Sequence, residues 1–411
     1  MNRTRRPWTY FSFLLVTFLF FAGCAKKYDT TSVESNTQDC KKTKLESQYI
    51  VHWENGKKTL IFEKNINNFL EKNRWAIHLI EPNYLIHSSA NAVAQLGPYD
   101  SEISAASTDD VIQTKAAWKL GYLGQGMTVA VIDTGVAINH PQLRTHLAVN
   151  KIESLYGQNH IDDDGNGYID DIYGWNFVSG MPDQNDLTGH GTAMAGIITG
   201  FPENRPSLSM APEAKILSVQ FMDKDGGTEY HAHLAMTYAL SRKVNIINNS
   251  WSISCSELLK NDFISWSHEN VIFVNAAGNT PVDVDHMGII PSSLRLPNNL
   301  NAGSVDDAGN ISVFSGYGAT VNIFAPGELI PTISPNSGWN ENTLASGTSV
   351  STAIVSGAAA LIWSAFPEAA ASEIVKLIAD GAYSEAPSLN RLDIKKSLRL
   401  GRKKFRKNSA L

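Results

Sequence analysis

The sequence predicts an α/β domain built on a doubly wound parallel sheet with helices on both faces, preceded by a small α+β module. Two observations carry this prediction. Short continuous runs of apolar, β-branched residues recur from residue 128 onwards, as they do in strands buried on both faces of a sheet. Helical stretches separate these runs, and strands that alternate with helices are typical of parallel sheets.

The alternating strands and helices occupy residues 114–398. In such sheets, ligands and catalytic groups gather at the carboxyl ends of the strands. The strands are expected at residues 128–132, 214–221, 244–247 and 271–276. The helices are expected at residues 192–198, 232–241, 258–268 and 351–364.

The composition of the 411 residues is that of a globular protein. Hydrophobic residues make up 43% and charged residues 18%, a balance unlike that of disordered chains. The net charge of -6 gives no basic surface of the kind that binds nucleic acid, so that class of partner is excluded.

Residues 48–110 are predicted to form a small module followed by a linker. The apolar residues at 49–53 favour a strand, and residues 66–70 favour a short helix. Two further extended pieces are expected on either side of Pro82, because proline interrupts strand pairing; they cover residues 76–80 and 84–86. Residues 91–110 are small and polar, which is typical of a linker open to processing.

Residues 1–23 are expected to be a signal peptide rather than part of the fold. Three arginines precede an apolar run at 11–21 that is short for a membrane span. The run ends in FAGC, which resembles the lipobox of bacterial lipoproteins, although Phe21 stands where leucine is usual. The resemblance implies that Cys24 is lipidated and holds the exported protein in the cell envelope, at the outer membrane or cell surface. An ordinary signal peptide is the alternative.

Two polar segments lie outside the predicted module and catalytic domain, and two cysteines remain besides Cys24. Residues 24–47 are predicted to be a tether and residues 400–411 a basic tail. With Cys24 lipidated, only Cys40 and Cys255 remain. Disulfides persist in exported proteins, but the sequence leaves open whether these two form a bridge or stay as separate thiols.

Three short segments carry residues of the kind used in nucleophilic catalysis. Asp133 directly follows the first predicted strand, His190 lies between glycines in GHGT, and Ser349 precedes an alanine-rich helix. Small neighbours leave room for a substrate, and a helix N-terminus favours negative charge developing beside the serine. Each segment alone is weak evidence, because Asp and Ser are common caps. Together, in the order Asp, His, Ser, they form a known triad order.

From about residue 116 to residue 398 the chain resembles the subtilases, the subtilisin-like serine proteases. The segments that carry the resemblance are VAVIDTGV at 129–136, GHGTAMAG at 189–196 and SGTSVSTA at 346–353. The resemblance implies a subtilisin-like catalytic domain over residues 111–399. It also implies a serine endopeptidase that cleaves peptide bonds through the triad and an acyl-enzyme intermediate, without a cofactor in the chemistry.

The resemblance further implies an oxyanion hole and substrate contacts. The side chain of Asn279, in AAGN, would donate to the oxyanion together with the Ser349 amide; an ordinary turn is the alternative. Two facing segments are expected to hold an extended polypeptide as an added strand. Their residues are Ser250, Trp251, Ser252, Ala277, Gly278, Gly226 and Gly227. Core packing is the alternative for Trp251, and Ser252 replaces a usual glycine, which would narrow the pocket.

The segment DDDGNGYIDD at 162–171 predicts a cation site. Oxygen-bearing side chains at its first, third, fifth and ninth positions, with glycine at the sixth, match the front of an EF-hand loop. The twelfth position is Tyr173 instead of glutamate, so a stand-alone structural Ca²⁺ loop is expected, as in many subtilases; an exposed acidic turn is the alternative. The predicted ligands are Asp162, Asp164, Asn166, the Tyr168 carbonyl and Asp170.

Two further expectations follow from the resemblance. The segment IEPNY at 80–84 resembles the last strand of the inhibitory prosegment of subtilases, which implies that the module inhibits its own catalytic domain. A second function remains open, because Val350, Ser351 and Ala353 replace the usual Met, Ala and Pro around the nucleophile. These departures are also compatible with a catalytically inactive subtilase-like binding protein.

Overall fold

The structure, a computed structural model, describes residues 42–86, 93–94, 112–184, 186–200, 209–336, 343–386 and 389–405. All of them belong to one compact unit, residues 38–411. The predicted signal peptide, Cys24, Cys40 and most of the predicted linker lie outside the described residues.

The described strands are β1 (Thr43–Trp53), β2 (Lys58–Phe62), β3 (Ile77–Ile86), β4 (Val93–Ala94), β5 (Thr128–Asp133), β6 (Gly174–Asn176), β7 (Lys215–Gln220), β8 (Met222–Asp223), β9 (Gly226–Thr228), β10 (Ile246–Asn249), β11 (Ile253–Ser254), β12 (Ile272–Ala276), β13 (Ile289–Ile290), β14 (Asn299–Val305), β15 (Ile323–Pro326), β16 (Ile330–Thr332), β17 (Thr343–Ala345), β18 (Tyr383–Ala386) and β19 (Leu389–Arg391).

The described helices are α1 (Ile66–Asn73), α2 (Thr114–Trp118), α3 (Lys151–Tyr156), α4 (His190–Thr199), α5 (Glu229–Ser241), α6 (Glu257–Ser265), α7 (Val284–Met287), α8 (Thr348–Ala365), α9 (Ala371–Gly381) and α10 (Ile394–Phe405), with a 3₁₀ turn at Trp266–His268. The four strands and four helices predicted for the large domain are present, with ends that differ by at most three residues.

The main sheet has the order β18-β19-β15-β14-β12-β10-β5-β7-β6. Its strands pair in parallel from β6 to β19, and β18 joins antiparallel at the edge. The chain adds β6 and β7 on one side of β5, and β10, β12, β14 and β15 on the other, so the strand order reverses at β5. This confirms the doubly wound parallel sheet and places a crevice at the carboxyl ends of β5, β10 and β12.

Alternate residues of β5 enter two separate apolar cores. Val129 and Val131 pack in the cluster that contains α4 and α8, whereas Ala130 and Ile132 pack in the cluster that contains α5 and α6. Burial on both faces is the reason that this strand reads as a continuous apolar run. By length and composition α8 would also suffice to cross a bilayer, yet 89% of it is buried within the protein, so it is a core helix of this fold.

The N-terminal module shares a second, antiparallel sheet with the large domain, in the order β2-β1-β3-β9-β8. Strand β3 of the module pairs with β9 through Leu85 opposite Thr228 and Ile86 opposite Gly227. The module therefore covers one edge of β9 along its backbone.

Two ion pairs hold the module against α5 and α6. The ammonium of Lys42 lies 3.5 Å from Oε1 of Glu229, and that of Lys58 donates to Asp262. Burial, the largest influence, raises the pKa of Glu229 to about 7, while the nearby charge of Lys42 lowers it. Docking thus buries a carboxyl group that is only partly ionised near neutral pH.

Two predictions about the module are wrong. Strand β3 runs unbroken through Pro82, because β9 pairs only with its last two residues and the register of β1 shifts opposite, between Lys44 and Tyr49. Proline is tolerated where a neighbouring strand is absent or irregular. Strand β1 begins at Thr43, inside the predicted tether, because Thr43 pairs with Leu85 far along the chain.

The predicted basic tail is wrong in its first residues, because α10 continues to Phe405. The Phe405 ring packs against Phe366 at a centroid distance of 5.2 Å, and the Lys404 ammonium lies 2.7 Å from Glu373. These contacts stabilise the last turn of α10. The basic residues of this turn favoured the prediction of a tail instead of a helix. Residues 406–411 lie outside the described part of the chain.

Candidate active site

Asp133 and His190 meet at the carboxyl end of β5. Asp133 is the last residue of β5 and His190 the first residue of α4, and both side chains are buried. Nδ1 of His190 lies 2.7 Å from Oδ1 of Asp133, and this oxygen also accepts the Thr134 amide at 2.7 Å. The carboxylate therefore fixes one ring nitrogen and leaves Nε2 directed away from it.

The close approach of these two segments requires glycine at position 191. A methyl group there would lie 2.1 Å from the carbonyl oxygen of Gly135 and 3.1 Å from Cβ of Asp133. The sequence predicts that glycines beside His190 leave room for a substrate. For Gly191 the space is instead taken by the Asp133 segment of the same protein.

The surroundings of His190 favour its protonated form. Burial, the largest single influence, lowers its pKa, but the charge of Asp133, the hydrogen bond to Asp133 and the charge of Asp186 raise it. The net result is a pKa above the ordinary value of 6.5. A base of this kind accepts a proton readily once the solution pH exceeds its pKa.

Ser349 lies in the first turn of α8, beside the side chain of Asn279. Oδ1 of Asn279 accepts the Thr348 amide at 2.8 Å and the Thr348 hydroxyl at 2.9 Å, which fixes the orientation of the Asn279 amide group. A methyl group on Gly347 would lie 2.9 Å from Nδ2 of Asn279 and 3.1 Å from Oγ of Ser349. Both atoms thus border the same small space, which stays open because residue 347 is glycine.

Nε2 of His190 is buried and has no hydrogen-bond partner among the described residues. It therefore makes no hydrogen bond to Oγ of Ser349 in this structure. Such bonds are often long in a substrate-free enzyme and tighten when a substrate binds.

The predicted substrate segments differ in how they are used. Ser250 is buried and its hydroxyl donates to the carbonyl oxygen of Ser349 at 3.1 Å, so it supports the turn that carries Ser349. Trp251 is fully buried and packs against Phe221 at a centroid distance of 5.0 Å, which matches the core-packing alternative. Ser252 lies beside Gly278. A Cβ added to Gly278 would lie 3.6 Å from Oγ of Ser252.

The remaining predicted contact residues lie at two strand ends. Ala277 is buried and directly follows β12, and Gly278, with φ of 93°, lies between it and Asn279. Gly226 and Gly227 are the first two residues of β9. The family resemblance assigns one edge of this strand to an extended substrate. In the structure, strand β3 of the module occupies that edge.

A profile of the subtilase family of peptidases matches residues 124–401. The chain belongs to the subtilase family. It is 31% identical over 283 residues to a thermostable alkaline protease of Halalkalibacterium halodurans, covering 68% of each chain. It is 32% identical over 255 residues to the major intracellular serine protease of Bacillus subtilis, covering 61% of this chain and 73% of that protein.

Two further similarities concern a larger protein and a solved structure. The chain is 31% identical over 265 residues to subtilisin-like protease 2 of Plasmodium falciparum, but the match covers only 18% of that protein. The crystal structure of a cold-adapted subtilisin-like serine proteinase aligns with a TM-score of 0.54 at 24% identity, covering 66% of this chain and 88% of the other. This likeness confirms the subtilisin-like fold.

The acidic loop of this subtilase forms a cluster different from the predicted one. Carboxylate oxygens of Glu153, Asp164 and Asp171 lie within 4.8 Å of one another. Burial is the main reason that the pKa values of Glu153 and Asp171 are raised. Three hard oxygen donors at this spacing are chemically suited to Ca²⁺.

Of the five predicted ligands, only Asp164 belongs to this cluster. The two carboxylate oxygens of Asp170 accept the amides of Asn159 and His160, both at 3.0 Å. Asp162 accepts the amides of Asn166 and Gly167 within its own loop.

Asn166 makes hydrogen bonds within the protein, and Tyr168, whose carbonyl is the predicted ligand, packs through its ring. Oδ1 of Asn166 accepts the Tyr168 amide at 2.8 Å, while its Nδ2 donates to Asp171 at 3.1 Å. The ring of Tyr168 packs edge-on against Tyr238 at 4.8 Å. Glu153, from the neighbouring helix α3, accepts the amides of Asp163, Asp164 and Asp170, so the loop folds around a carboxylate that the EF-hand pattern does not include.

Sequence reasoning missed four residues that shape these sites: Glu153, Asp171, Asp186 and Thr348. A glutamate inside a short helix just before an acidic loop was the available signal for Glu153. Asp186, four residues before His190, had no recognisable pattern of its own.

Proposed function

We propose that this subtilase is a serine endopeptidase that hydrolyses peptide bonds with Asp133, His190 and Ser349 as its triad. The observation that carries the proposal is the convergence at one end of the sheet of a buried Asp133–His190 hydrogen bond and of Asn279 beside Ser349. Two residues 57 positions apart share a 2.7 Å hydrogen bond here, and Asn279 is fixed with its amide donor beside the serine hydroxyl.

The geometry supports the usual sequence of steps for such a triad. Nε2 of His190 accepts the hydroxyl proton of Ser349 as the serine oxygen attacks the peptide carbonyl. Asp133 keeps the imidazole oriented and stabilises its charged form. Nδ2 of Asn279 and the Ser349 amide donate to the oxyanion. His190 then protonates the leaving amine, and water releases the acyl group by the same route.

The departures around the nucleophile do not remove any chemical group. Val350 and Ala353 are buried packing residues. The hydroxyl of Ser351 donates to the carbonyl oxygens of Ala325 and Pro326, at 3.0 and 3.2 Å, and so serves the packing of α8 on β15. These substitutions therefore give little support to an inactive binding protein.

Labelling with a fluorophosphonate probe tests the proposal directly. The probe forms a covalent bond with an activated serine, so mass spectrometry of digested protein is expected to find it on Ser349 alone. His190→Ala is the matched control, because it keeps the serine and removes the base. Stoichiometric labelling of that variant, or no labelling of the purified wild-type protein freed of its module, would contradict the proposal.

We also propose that the module is an inhibitory prosegment and that polypeptide substrates bind where it leaves. Support comes from β3, which pairs with the backbone of Gly227 and Thr228 at the edge expected to receive an extended substrate. Release of the module would free this edge, so cleavage in the region of residues 90–110 would activate the enzyme.

The proposed place of the enzyme is the bacterial cell envelope, anchored through a lipidated Cys24. Cleavage of the linker would separate the catalytic domain from that anchor unless a second link remained. Cys255 is disulfide-bonded, and the two other cysteines of the chain, Cys24 and Cys40, both precede the described residues. With Cys24 lipidated, we assign its partner as Cys40. The bridge would keep the processed enzyme on the membrane.

The disulfide predicts a reductant-sensitive association of the processed enzyme with membranes. In the full chain expressed with its leader, the catalytic fragment is expected to sediment with membranes and to be released by reductant. Cys255→Ser is expected to release it without reductant, whereas the neighbouring Ser254→Ala should not. Fractionation and immunoblotting measure both. Release of the wild-type fragment without reductant, or an active enzyme that is one uncut chain beginning at Cys24, would contradict this arrangement.

We propose that Glu153, Asp164 and Asp171 hold a structural Ca²⁺ ion. The proposed ion site is supported by the proximity of three carboxylates, which repel one another unless a cation or bound protons offset their charge. Glu153 also organises the loop through three backbone amides, so an ion bound there would stabilise the loop fold.

Calcium is accordingly expected to raise the melting temperature of the chelator-treated protein by about 5 °C at saturating concentrations. Asp164→Asn is expected to abolish most of this rise, since it removes one ligand charge. Asp225→Asn, in an exposed loop elsewhere, is the control and should respond like the wild type. Differential scanning calorimetry measures the effect, and an equal rise in Asp164→Asn would refute this ligand set.

A further inference from the structure

A second carboxylate lies buried behind the Asp133–His190 pair. Asp186 precedes α4 and is 4% exposed. Its Oδ1 accepts the Thr134 hydroxyl at 2.9 Å and the Gly189 amide at 2.8 Å, and its Oδ2 accepts the Thr192 amide at 2.8 Å. The same Oδ1 accepts the amide and hydroxyl of Thr188 at 3.2 and 3.1 Å. One side chain thus binds the segment after β5 and the segment that opens α4.

Thr134 connects Asp186 to the catalytic pair. Its hydroxyl donates to Asp186 and accepts the Gly191 amide at 3.0 Å, while its own amide donates to Oδ1 of Asp133 at 2.7 Å. A continuous set of hydrogen bonds therefore runs from Asp186 through Thr134 to the carboxylate that holds His190. Thr134 is 1% exposed, so water does not compete for these bonds.

We propose that Asp186 is a positioning residue of the catalytic site: it locks the segments that carry Asp133 and His190 together and adds a second negative charge near the imidazole. The proposal rests on the proposed peptidase function. It assigns Asp186 two separable roles, one geometric and one electrostatic.

The electrostatic role has a clear direction. The charges that raise the pKa of His190 are those of Asp133, at the end of β5, and Asp186, in the segment before α4. His140 lines the same cavity as Asp186 and is the other titratable group beside it among the described lining residues. Because His190 becomes positively charged when it accepts the serine proton, a fixed negative charge nearby favours that step.

Three variants separate the two roles. Asp186→Asn keeps the shape and removes the charge, and it also loses the hydrogen bond that Oδ2 accepts from the Thr192 amide. Thr134→Val keeps the charge and breaks the hydrogen-bonded link to the segment of Asp133. Thr188→Val is the matched control, because it removes a hydrogen bond to Asp186 and one from the His190 amide but leaves both the charge and the link through Thr134 in place. Thermal melting of each variant establishes that it is folded.

The expected results differ in kind. Asp186→Asn should lower kcat by about 10- to 100-fold with little change in KM, and move the acid limb of kcat/KM to lower pH by about half a unit or more. The limb moves to lower pH because a lower pKa keeps His190 unprotonated, and so able to act as a base, down to a lower pH. Thr134→Val should lower kcat without moving the limb, and Thr188→Val should leave the limb in place.

The outcome can be read without peptidase activity. In the Ser349→Ala background, NMR titration of the His190 ring should show the same downward pKa shift on Asp186→Asn. An unchanged His190 titration and acid limb, or an equal shift in Thr188→Val, would overturn the proposal. If Asp186→Asn fails to fold, an unaltered kcat in folded Thr134→Val would overturn the geometric role. Absence of activity with a clear titration shift would instead count against the peptidase function alone.

Discussion

Replacement of Ser349 by alanine is expected to reduce kcat for peptide hydrolysis by about 10⁶-fold, the magnitude known for loss of the nucleophile in subtilisin itself. The hydroxyls of two described neighbours, Ser250 and Thr348, are held in other hydrogen bonds. The Ser250 hydroxyl donates to the Ser349 carbonyl, and the Thr348 hydroxyl donates to Asn279. A fluorogenic peptide assay on the purified enzyme, freed of its module, measures the loss.

Ser346→Ala is the matched control for this prediction. Its hydroxyl accepts the Leu329 amide at 2.9 Å and belongs to the same turn, but it has no place in the proposed chemistry. We expect this variant to keep most of its activity. The double variant His190→Ala, Ser349→Ala should be no slower than either single variant, because the two groups act as a unit. Equal activity in wild type and Ser349→Ala would assign the activity to a contaminant and end the triad interpretation.

Removal of the oxyanion donor should have the next largest effect. Asn279→Asp keeps an acceptor for the Thr348 amide and hydroxyl but replaces the donor beside Ser349 by a second oxygen. A loss in kcat of about 10²- to 10³-fold is expected, the range found on removing the corresponding donor of subtilisin. KM should change little, because the oxyanion exists only in the transition state and intermediate.

Steady-state kinetics with the same peptide distinguish this role from a structural one. Asn279→Ala removes the donor and also leaves the Thr348 amide without its acceptor, so it should lose activity similarly while melting at a lower temperature. Asn279→Asp should retain the wild-type melting temperature. A rise in KM at constant kcat, or a loss of less than about tenfold, would show that Asn279 only shapes the turn.

The sequence was a poor guide to strand β14, in which polar residues are buried. Strand β14 was not predicted, because Asn299 and Asn301 interrupt its apolar pattern. Both are buried in the sheet, and Nδ2 of Asn301 donates to the carbonyl oxygens of Ser292, Leu294 and Thr320. Those acceptors lie 7 to 19 residues from Asn301, so its immediate neighbours in the sequence do not show that this side chain is satisfied.

The acidic loop shows the same limit at a functional site. Its spacing correctly placed oxygen donors in one short segment, and Asp164 is common to the predicted set and the observed cluster. The sequence could not show that Glu153 of α3 would take three loop amides, nor that Asp170 would turn to the amides of Asn159 and His160. Side-chain direction depended on which backbone groups the folded loop left without partners.

The sequence by itself determined the alternation of buried strands and helices, and the three short segments that carry Asp133, His190 and Ser349. Periodicity and short motifs are properties of neighbouring residues, so they can be read before folding. Only the tertiary structure decided that His190 lies 2.7 Å from Asp133, that the Asn279 amide is fixed beside Ser349, and that Asp186 joins the two segments. These distances depend on how β5, β12, α4 and α8 pack, which local sequence does not fix.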